Sequence, residues 1–338
     1  MKICADCFND EEIKNYILSN GNFGRCDVFS IDTQVLELDE LSDFFSDLLN
    51  IFKTKIDSNY SIYDYIQKDW SLFSSKKVAE KIIDECISTF GNSIDKYHVV
   101  YIDNISNYVS IWKKMKYDLQ YKSRFFINLN SYNPNDPYLQ NCINVENVLT
   151  TLSSGTILYR ARILPDKVSY YKKENLGCPP PETVNNGRAN PIGIPYLYLC
   201  NDMETTFYEV RARFKDRVSV GDFKIKRDLT IVSLTSLSSL YLSSHSGDFV
   251  TDVKHKLLLN DIAKDMSKPL SRYDTELDYV PTQFICELCK INGADGISFK
   301  SSLNENGINY VLFDANDINV AECIKVRNIT IEHVEIRQ

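Results

Sequence analysis

The sequence predicts an α+β chain in two parts, a helical first half followed by a second half in which short strands and helices mix. Three observations predict it. From Asp10 to about Tyr121, apolar residues recur at helical spacing. From Gly155 onward, short apolar runs with a period of two alternate with helix-like segments. Between these regions, Asn128 to Pro137 (NLNSYNPNDP) is polar and rich in turn formers, which marks it as the best boundary. The expected division is a helical N-terminal domain over 1–145 and a mixed α/β domain over 150–338.

At 338 residues the chain is long enough for two cores, and its 43% hydrophobic and 25% charged content is that of an ordinary soluble protein. A net charge of −8 argues against a broad surface for phosphate backbones, so no direct nucleic-acid binding is expected. A small basic pocket remains compatible with an acidic whole. No run approaches the roughly 20 apolar residues that span a bilayer. The opening MKICADCFNDEEIKNYI meets acidic residues at once and lacks the apolar core of a signal peptide. No membrane association is expected, and the ten cysteines read as reduced thiols of a cytoplasmic protein.

In the first half, Cys4-x2-Cys7 followed by Cys26 begins like a zinc knuckle over residues 4–26. A structural zinc takes four ligands. The position three after Cys26 is Phe29, and the first histidine is His98. The expectation is therefore a small folded cap with free thiols, and no metal. Ile13, Ile17 and Leu18 share a helical face, as do Leu36, Leu41, Phe44, Phe45, Leu48, Leu49 and Phe52. Further helices are expected at Tyr60–Phe73, Lys77–Phe90 and Ile105–Leu119. The acidic run Glu37–Asp47 reads as the solvated side of an amphipathic helix. An Arg–His pair close on one helix would suggest RNA cleavage, but the one such spacing, Arg327 to His333, lies in a strand-like tail.

Val145–Leu152 reads as a short helix or linker into the second half. Gly155–Arg162 (GTILYRAR) then reads as a strand with Arg160 and Arg162 on one side. An arginine in a strand commonly serves a surface ion pair. Here the strand is otherwise apolar, and a second arginine, Arg188, follows in a long Gly/Asn/Pro-rich loop. Ile194–Cys200 reads as a buried strand. Asn201-Asp202 offers an N-cap for a helix over Met203–Arg213 that carries Glu209. A bland role for Glu209 is pairing with Arg213 at i+4 on the helix surface. Strands follow at Val218–Ile225 and Thr230–Leu234, helices at Asp248–Met266 and Leu277–Ile291. The last helix carries Cys286-x2-Cys289 beside Phe284 and Leu288, where core packing explains the thiols better than a metal. Asp295–Ser302 is a buried strand entering a polar turn, with strand-like segments at Asn309–Asp314 and Asn319–Lys325. Ser301 has no histidine arranged to make it a nucleophile, so a hydroxyl bonding phosphate or ribose suits it better.

Five segments occur in the order seen in one family: LYRAR (158–162), GRANPIGIPYLYL (187–199), ETTFYEVR (204–211), YVPTQFICE (279–287) and DGISFKSS (295–302). On these residues the second half resembles the RES family, named for an Arg, a Glu and a Ser. The first half resembles the helical region found before some RES domains. The resemblance implies a fold like that of ADP-ribosyltransferase toxins, a mixed core with a split sheet. It places the family's three residues on Arg160, Glu209 and Ser301, with Ser302 a one-position alternative because Lys300 stands where many relatives have proline. Arg188 and Tyr198 fall where residues help to hold the ligand.

The implied activity is NAD degradation by a toxin or defence effector, with NAD as substrate and inorganic phosphate as a co-substrate in many members. Partners implied are an antitoxin or regulatory protein and self-association. These residue types suit that chemistry. Arginine grips phosphate with parallel hydrogen bonds, Tyr198 offers an aromatic face to the cationic nicotinamide, and Glu209 would stabilise the oxocarbenium ion forming at the ribose. Nicotinamide leaves as a neutral molecule and needs no acid. Transfer of ADP-ribose to a macromolecule, and a non-catalytic binding module, are the competing readings.

Overall fold

The computed structural model describes residues 1–90, 94–128, 148–235, 239–244, 247–268, 275–314 and 319–332. Beyond Asn128, the predicted boundary at 128–137 lies outside the described residues, as does His333. The chain divides into two units, Met1–Trp112 with Ser238–Asn260, and Lys113–Leu237 with Asp261–Gln338.

The first unit contains most of the predicted helices. Glu11–Asn20 starts where the Asp10 carboxylate accepts hydrogen bonds from the Glu12 and Ile13 amides, satisfying donors the first turn leaves unpaired. Ile13 and Ile17 of this helix are buried, whereas Leu18 points outward at 49% exposure. Ser75 caps Lys76–Thr89 in the same way through the Val78 amide. Helix Ser42–Asn50 buries Phe44, Phe45, Leu48 and Leu49. Leu41 is buried with them at the end of a 3-10 turn, Leu38–Leu41, that leads into this helix, whereas Leu36 and Phe52 are buried but not helical. Leu36 lies in a strand, because this unit also contains two small sheets. Strands β1 (Lys2–Cys4), β2 (Asn22–Arg25) and β3 (Asp32–Glu37) pair in the order β1-β3-β2. Strands β4 (Phe52–Thr54) and β5 (Val99–Tyr101) form an antiparallel pair. The predicted helix Tyr60–Phe73 is a short helix, Ile62–Tyr65, continued by a wider π-helical turn, Ile66–Trp70, and ended by Ser71 with a left-handed φ of 48°.

The second unit is built on one eight-stranded mixed sheet. Its strands are β6 (Leu149–Leu152), β7 (Ile157–Ile163), β8 (Leu197–Cys200), β9 (Arg217–Ile225), β10 (Leu229–Ser233), β11 (Gly296–Lys300), β12 (Ile308–Leu312) and β13 (Ala321–Thr330). Their order is β13-β9-β7-β8-β12-β11-β10-β6. Pairing is antiparallel except between β10 and β11. The segment expected as a helix or linker, Val145–Leu152, becomes edge strand β6 over its described part, paired to β10.

Where β7 meets β8 the ladder narrows to one pair, Tyr159↔Cys200, whereas β7 pairs with β9 along its whole length. The sheet therefore opens at this seam. On β7, Leu158 joins the core formed with Leu176, Leu197, Leu199 and Phe223. Tyr159 and Ala161 face a second cluster with Met203 and Phe207 of helix Met203–Glu209 and with Val210, which follows it. The period of two thus puts Arg160 and Arg162 on the Leu158 side, as the sequence predicts. Arg162 is occupied there, donating to the Gly177 carbonyl at 2.8 Å.

Among the described residues, no helix is long and apolar enough to cross a membrane.

Candidate active site

A cavity of about 430 Å³ lies at the seam where β7 and β8 part. It is lined by Tyr159 and Arg160 from β7, Tyr198 and Cys200 from β8, Arg188 from the preceding loop, and Glu209 from the end of the helix. Lys300, Ser302 and Asn309 close another side. Cations outnumber the single carboxylate, Glu209, among these side chains, so the cavity is arranged for an anionic ligand with one negative point in its wall.

Among these cations, Arg160 carries a buried donor without a partner. Its Nη1 is sealed from solvent and has no hydrogen-bond partner among the described residues. A buried donor left unmade costs about 1–3 kcal/mol, more when charged, so a ligand that draws this guanidinium toward the cavity it lines would relieve that cost. Burial pushes the guanidinium below its ordinary value, opposed by the neighbouring Cys178 thiol. Arginine's intrinsic pKa leaves it charged even so.

Arg188 lines the same cavity but is partly spoken for. Its guanidinium donates to the carbonyls of Asp265 (2.6 Å) and Lys268, satisfying acceptors around the end of helix Phe249–Ser267, and lies over the Tyr279 ring at 5.9 Å. The Arg188 carbonyl in turn accepts from Thr282 Oγ1 at 2.6 Å. The Gln283 amide donates to the carbonyls of Gly187 and Asn190. The YVPTQFICE segment therefore acts as the scaffold of the arginine loop, a role its sequence alone did not indicate.

Tyr198 presents its ring to the cavity with its hydroxyl fixed. The hydroxyl donates to Asn190 Oδ1 (2.7 Å) and accepts from the Ala189 amide (3.1 Å). Burial raises its pKa, so it stays neutral. The fit around it is close at Gly187, where an added Cβ would stand 2.3 Å from Asn190 Oδ1 and 2.7 Å from the Tyr198 hydroxyl.

The predicted helix over Met203–Arg213 ends earlier, at Glu209. Asp202 caps its start, accepting from the Thr205 amide at 2.7 Å. It stops because Arg211 takes a left-handed φ of 53°. The Arg213 amide turns to Asp216 instead, at 2.7 Å. Glu209 is thus a helix-end residue facing the cavity, and no ion pair joins it to Arg213. Its Oε1 accepts two hydrogen bonds, from Ser301 Oγ and from Asn309 Nδ2, each 2.7 Å long.

The structure thus brings Arg160, Arg188, Tyr198 and Glu209 to one cavity and sets Ser301 directly behind Glu209. Ser301 is 8% exposed, and its hydroxyl also receives the Leu303 amide at 3.1 Å. Its partner is the carboxylate rather than a phosphate cradle. Ser302, the neighbouring alternative, is the serine at the cavity wall. Asn309 was missed in the sequence. Its Oδ1 accepts from the Cys200 thiol at 3.3 Å while its amide holds Glu209. The signal was an asparagine inside the apolar strand INYVL, read above only as a strand start.

The profile of the RES domain matches residues 157–335, more than half of the chain. This chain belongs to the RES-domain family. The match contains β7, β8, the Glu209 helix and the Ser301 turn, so each residue lining the cavity falls within the RES domain. No relative was found among curated proteins. Among solved structures, the chain is similar to one in the crystal structure of the M. tuberculosis MbcT–MbcA toxin–antitoxin complex. That likeness spans 58% of this chain and 93% of the other, at 14% identity and a TM-score of 0.36.

Proposed function

We propose that this RES-domain protein degrades NAD, cleaving the bond between nicotinamide and ribose by hydrolysis or phosphorolysis as a toxin or defence effector. The observation that carries the reading is the pairing of a buried guanidinium with one unpartnered nitrogen, that of Arg160, with a doubly hydrogen-bonded carboxylate, Glu209, in the wall of one cavity. NAD offers a negative pyrophosphate and a ribose that becomes cationic as its glycosidic bond breaks. Arg160 would take a pyrophosphate oxygen with its guanidinium. Arg188, with two of its donors already used, would contribute charge and its remaining N–H groups. Tyr198, held by its hydroxyl, would present a fixed ring face to nicotinamide.

Glu209 would sit beside the ribose, hydrogen-bonding its hydroxyls and stabilising the developing positive charge. Ser301 and Asn309 act on that step by orienting the carboxylate. They occupy both lone pairs of Oε1 and leave Oε2 for the substrate. Ser301 serves here as a positioning residue. The domain pattern 1–145 and 150–338 belongs to the same proposal, with the first half expected to engage an antitoxin or regulatory partner or a second copy.

The fate of ADP-ribose tests the reading. NAD labelled in its adenylate half, incubated with the full chain, should yield free ADP-ribose, or its 1″-phosphate when inorganic phosphate is present. Label retained on protein or nucleic acid would replace this reading with ADP-ribosyl transfer. Intact NAD after long incubation at high protein concentration would leave a binding module.

A further inference from the structure

Outside the NAD cavity, the first unit brings three thiols together from separate segments. Cys4 closes β1, Cys7 ends the 3-10 turn Ala5–Cys7, and Cys26 follows β2. Pairing of β1 and β2 to opposite edges of β3 carries Cys26 back to the other two. The turn after Cys26 is pinned where it stands. The Asp27 amide donates to the Lys2 carbonyl at 2.9 Å, the Cys26 amide to the Ile31 carbonyl at 2.8 Å, and the Ser30 amide to the Cys26 carbonyl at 2.7 Å. Lys81 Nζ adds bonds to the carbonyls of Asp27 and Val28, both at 3.1 Å.

The sulfurs of Cys4 and Cys7 are 3.8 Å apart, those of Cys7 and Cys26 4.0 Å, and all three lie within 4.8 Å of one another. A disulfide needs about 2.05 Å, so none of these pairs is bonded. Four sulfurs at about 2.3 Å from a tetrahedral zinc stand about 3.8 Å apart, which is the spacing of the two closer pairs. All three thiols are buried, at 1%, 0% and 0% exposure. The other C-x2-C pair, Cys286 and Cys289, is equally buried on one helix, but no third ligand joins it. Among the described residues, the Cys4–Cys7–Cys26 group alone has three or more metal-ligand atoms converging in this way.

We propose that Cys4, Cys7 and Cys26 bind one zinc ion through three thiolates, with a water or small thiol as the fourth ligand. Phe29, at the position where a fourth cysteine would complete the knuckle, supplies no donor. Each thiol releases its proton to solvent as it becomes a ligand. Soft sulfur donors in a tetrahedral arrangement select zinc over hard cations. The ion would tie β1, the 3-10 turn and the β2 end into one staple for the small sheet. This is an alternative to the sequence expectation of free thiols and is independent of NAD chemistry.

The test uses the full chain purified under reducing conditions, with bound metal counted by mass spectrometry and cobalt(II) as an optical probe. About one zinc per chain, and thiolate-to-cobalt absorption on substitution, are expected. Cys7→Ser and Cys26→Ser should fall below about a tenth of that content, while the Cys286→Ser/Cys289→Ser chain keeps it. Because a cluster variant can fail to fold, alkylation is mapped on the wild-type chain as well. A chelator should raise the reaction rates of Cys4, Cys7 and Cys26 about tenfold or more and leave those of Cys286 and Cys289 unchanged. A folded wild-type chain with neither zinc nor a cobalt signal overturns the proposal. So does zinc that survives loss of Cys7 or Cys26, or alkylation indifferent to the chelator.

Discussion

Ser301→Ala separates two roles for the serine, that of a support for Glu209 and that of a phosphate ligand. The substitution removes one of two 2.7 Å hydrogen bonds to Glu209 Oε1, leaving Asn309 as the sole support. A hydrogen bond to a charged group contributes about 1.5–3 kcal/mol. Glu209 is exposed, so the lower end applies, and about 1.4 kcal/mol is tenfold in rate. The expected result is a kcat for nicotinamide release about tenfold lower, with KM for NAD changed by less than about twofold. A serine that works through the carboxylate should matter little once the carboxylate is gone. In a Glu209→Gln background, Ser301→Ala should therefore cost less than about twofold. Steady-state chromatography of released nicotinamide, with NAD and phosphate varied separately, reads both parameters. An equal tenfold loss in both backgrounds, or a selective rise in KM for phosphate, would refute the positioning role and return Ser301 to the phosphate.

Three further outcomes are expected. Gly187→Ala, whose Cβ would meet Asn190 and Tyr198 at 2.3 and 2.7 Å, should displace the arginine loop; overpacking of this kind costs about 1–3 kcal/mol, and a variant with unchanged Tm and turnover would contradict it. Arg160→Lys should raise KM for NAD by about tenfold or more, because a lysine cannot reproduce the planar donor fork; an unaltered KM would remove Arg160 from the pyrophosphate. In the first unit, buried Lys256 donates to the Ser239 carbonyl and to Ser243, and its pKa is lowered from 10.5 to about 8, chiefly by burial. Between those values the unfolded chain carries the proton that the folded chain releases, so folding stability gains as pH rises through this window, by at most about 3 kcal/mol. Denaturant unfolding of wild type and Lys256→Met at pH 7.5 and 10 checks this, and a difference between the two chains that is constant with pH would contradict it.

Much of this was legible in the sequence because strong local signals agree with the final packing. Lys77–Phe90 has a capping serine, Ser75, and a regular apolar face, and the helix found is Lys76–Thr89. The seam strands are short apolar runs bounded by turn residues, and β7 and β9 fall close to where they were expected. The errors lie where long-range pairing decides. Leu36 has helical spacing to Phe44, yet pairing with β1 and β2 makes Asp32–Glu37 a strand. Leu149–Leu152 carries no strand signal of its own and is recruited by β10. The early stop at Glu209 depends on the backbone of Arg211, a residue type that ordinarily continues a helix. At the site, arginines and a glutamate announce their chemistry by type. The supports Asn309, Thr282 and Gln283 do not, because an amide or hydroxyl becomes informative only when its partner is known.

The central claim is that Glu209 and Arg160 act on one dinucleotide at the β7–β8 seam. Nicotinamide release from NAD by the full chain, measured beside Glu209→Gln, tests it most directly. Loss of a transition-state contact of this kind costs about 2.7–4 kcal/mol, or 10²–10³ in rate. Turnover by the wild-type chain that falls hundreds-fold in Glu209→Gln, with the fold and NAD binding retained, is the predicted result. Equal release by both chains, or none by either, would contradict it.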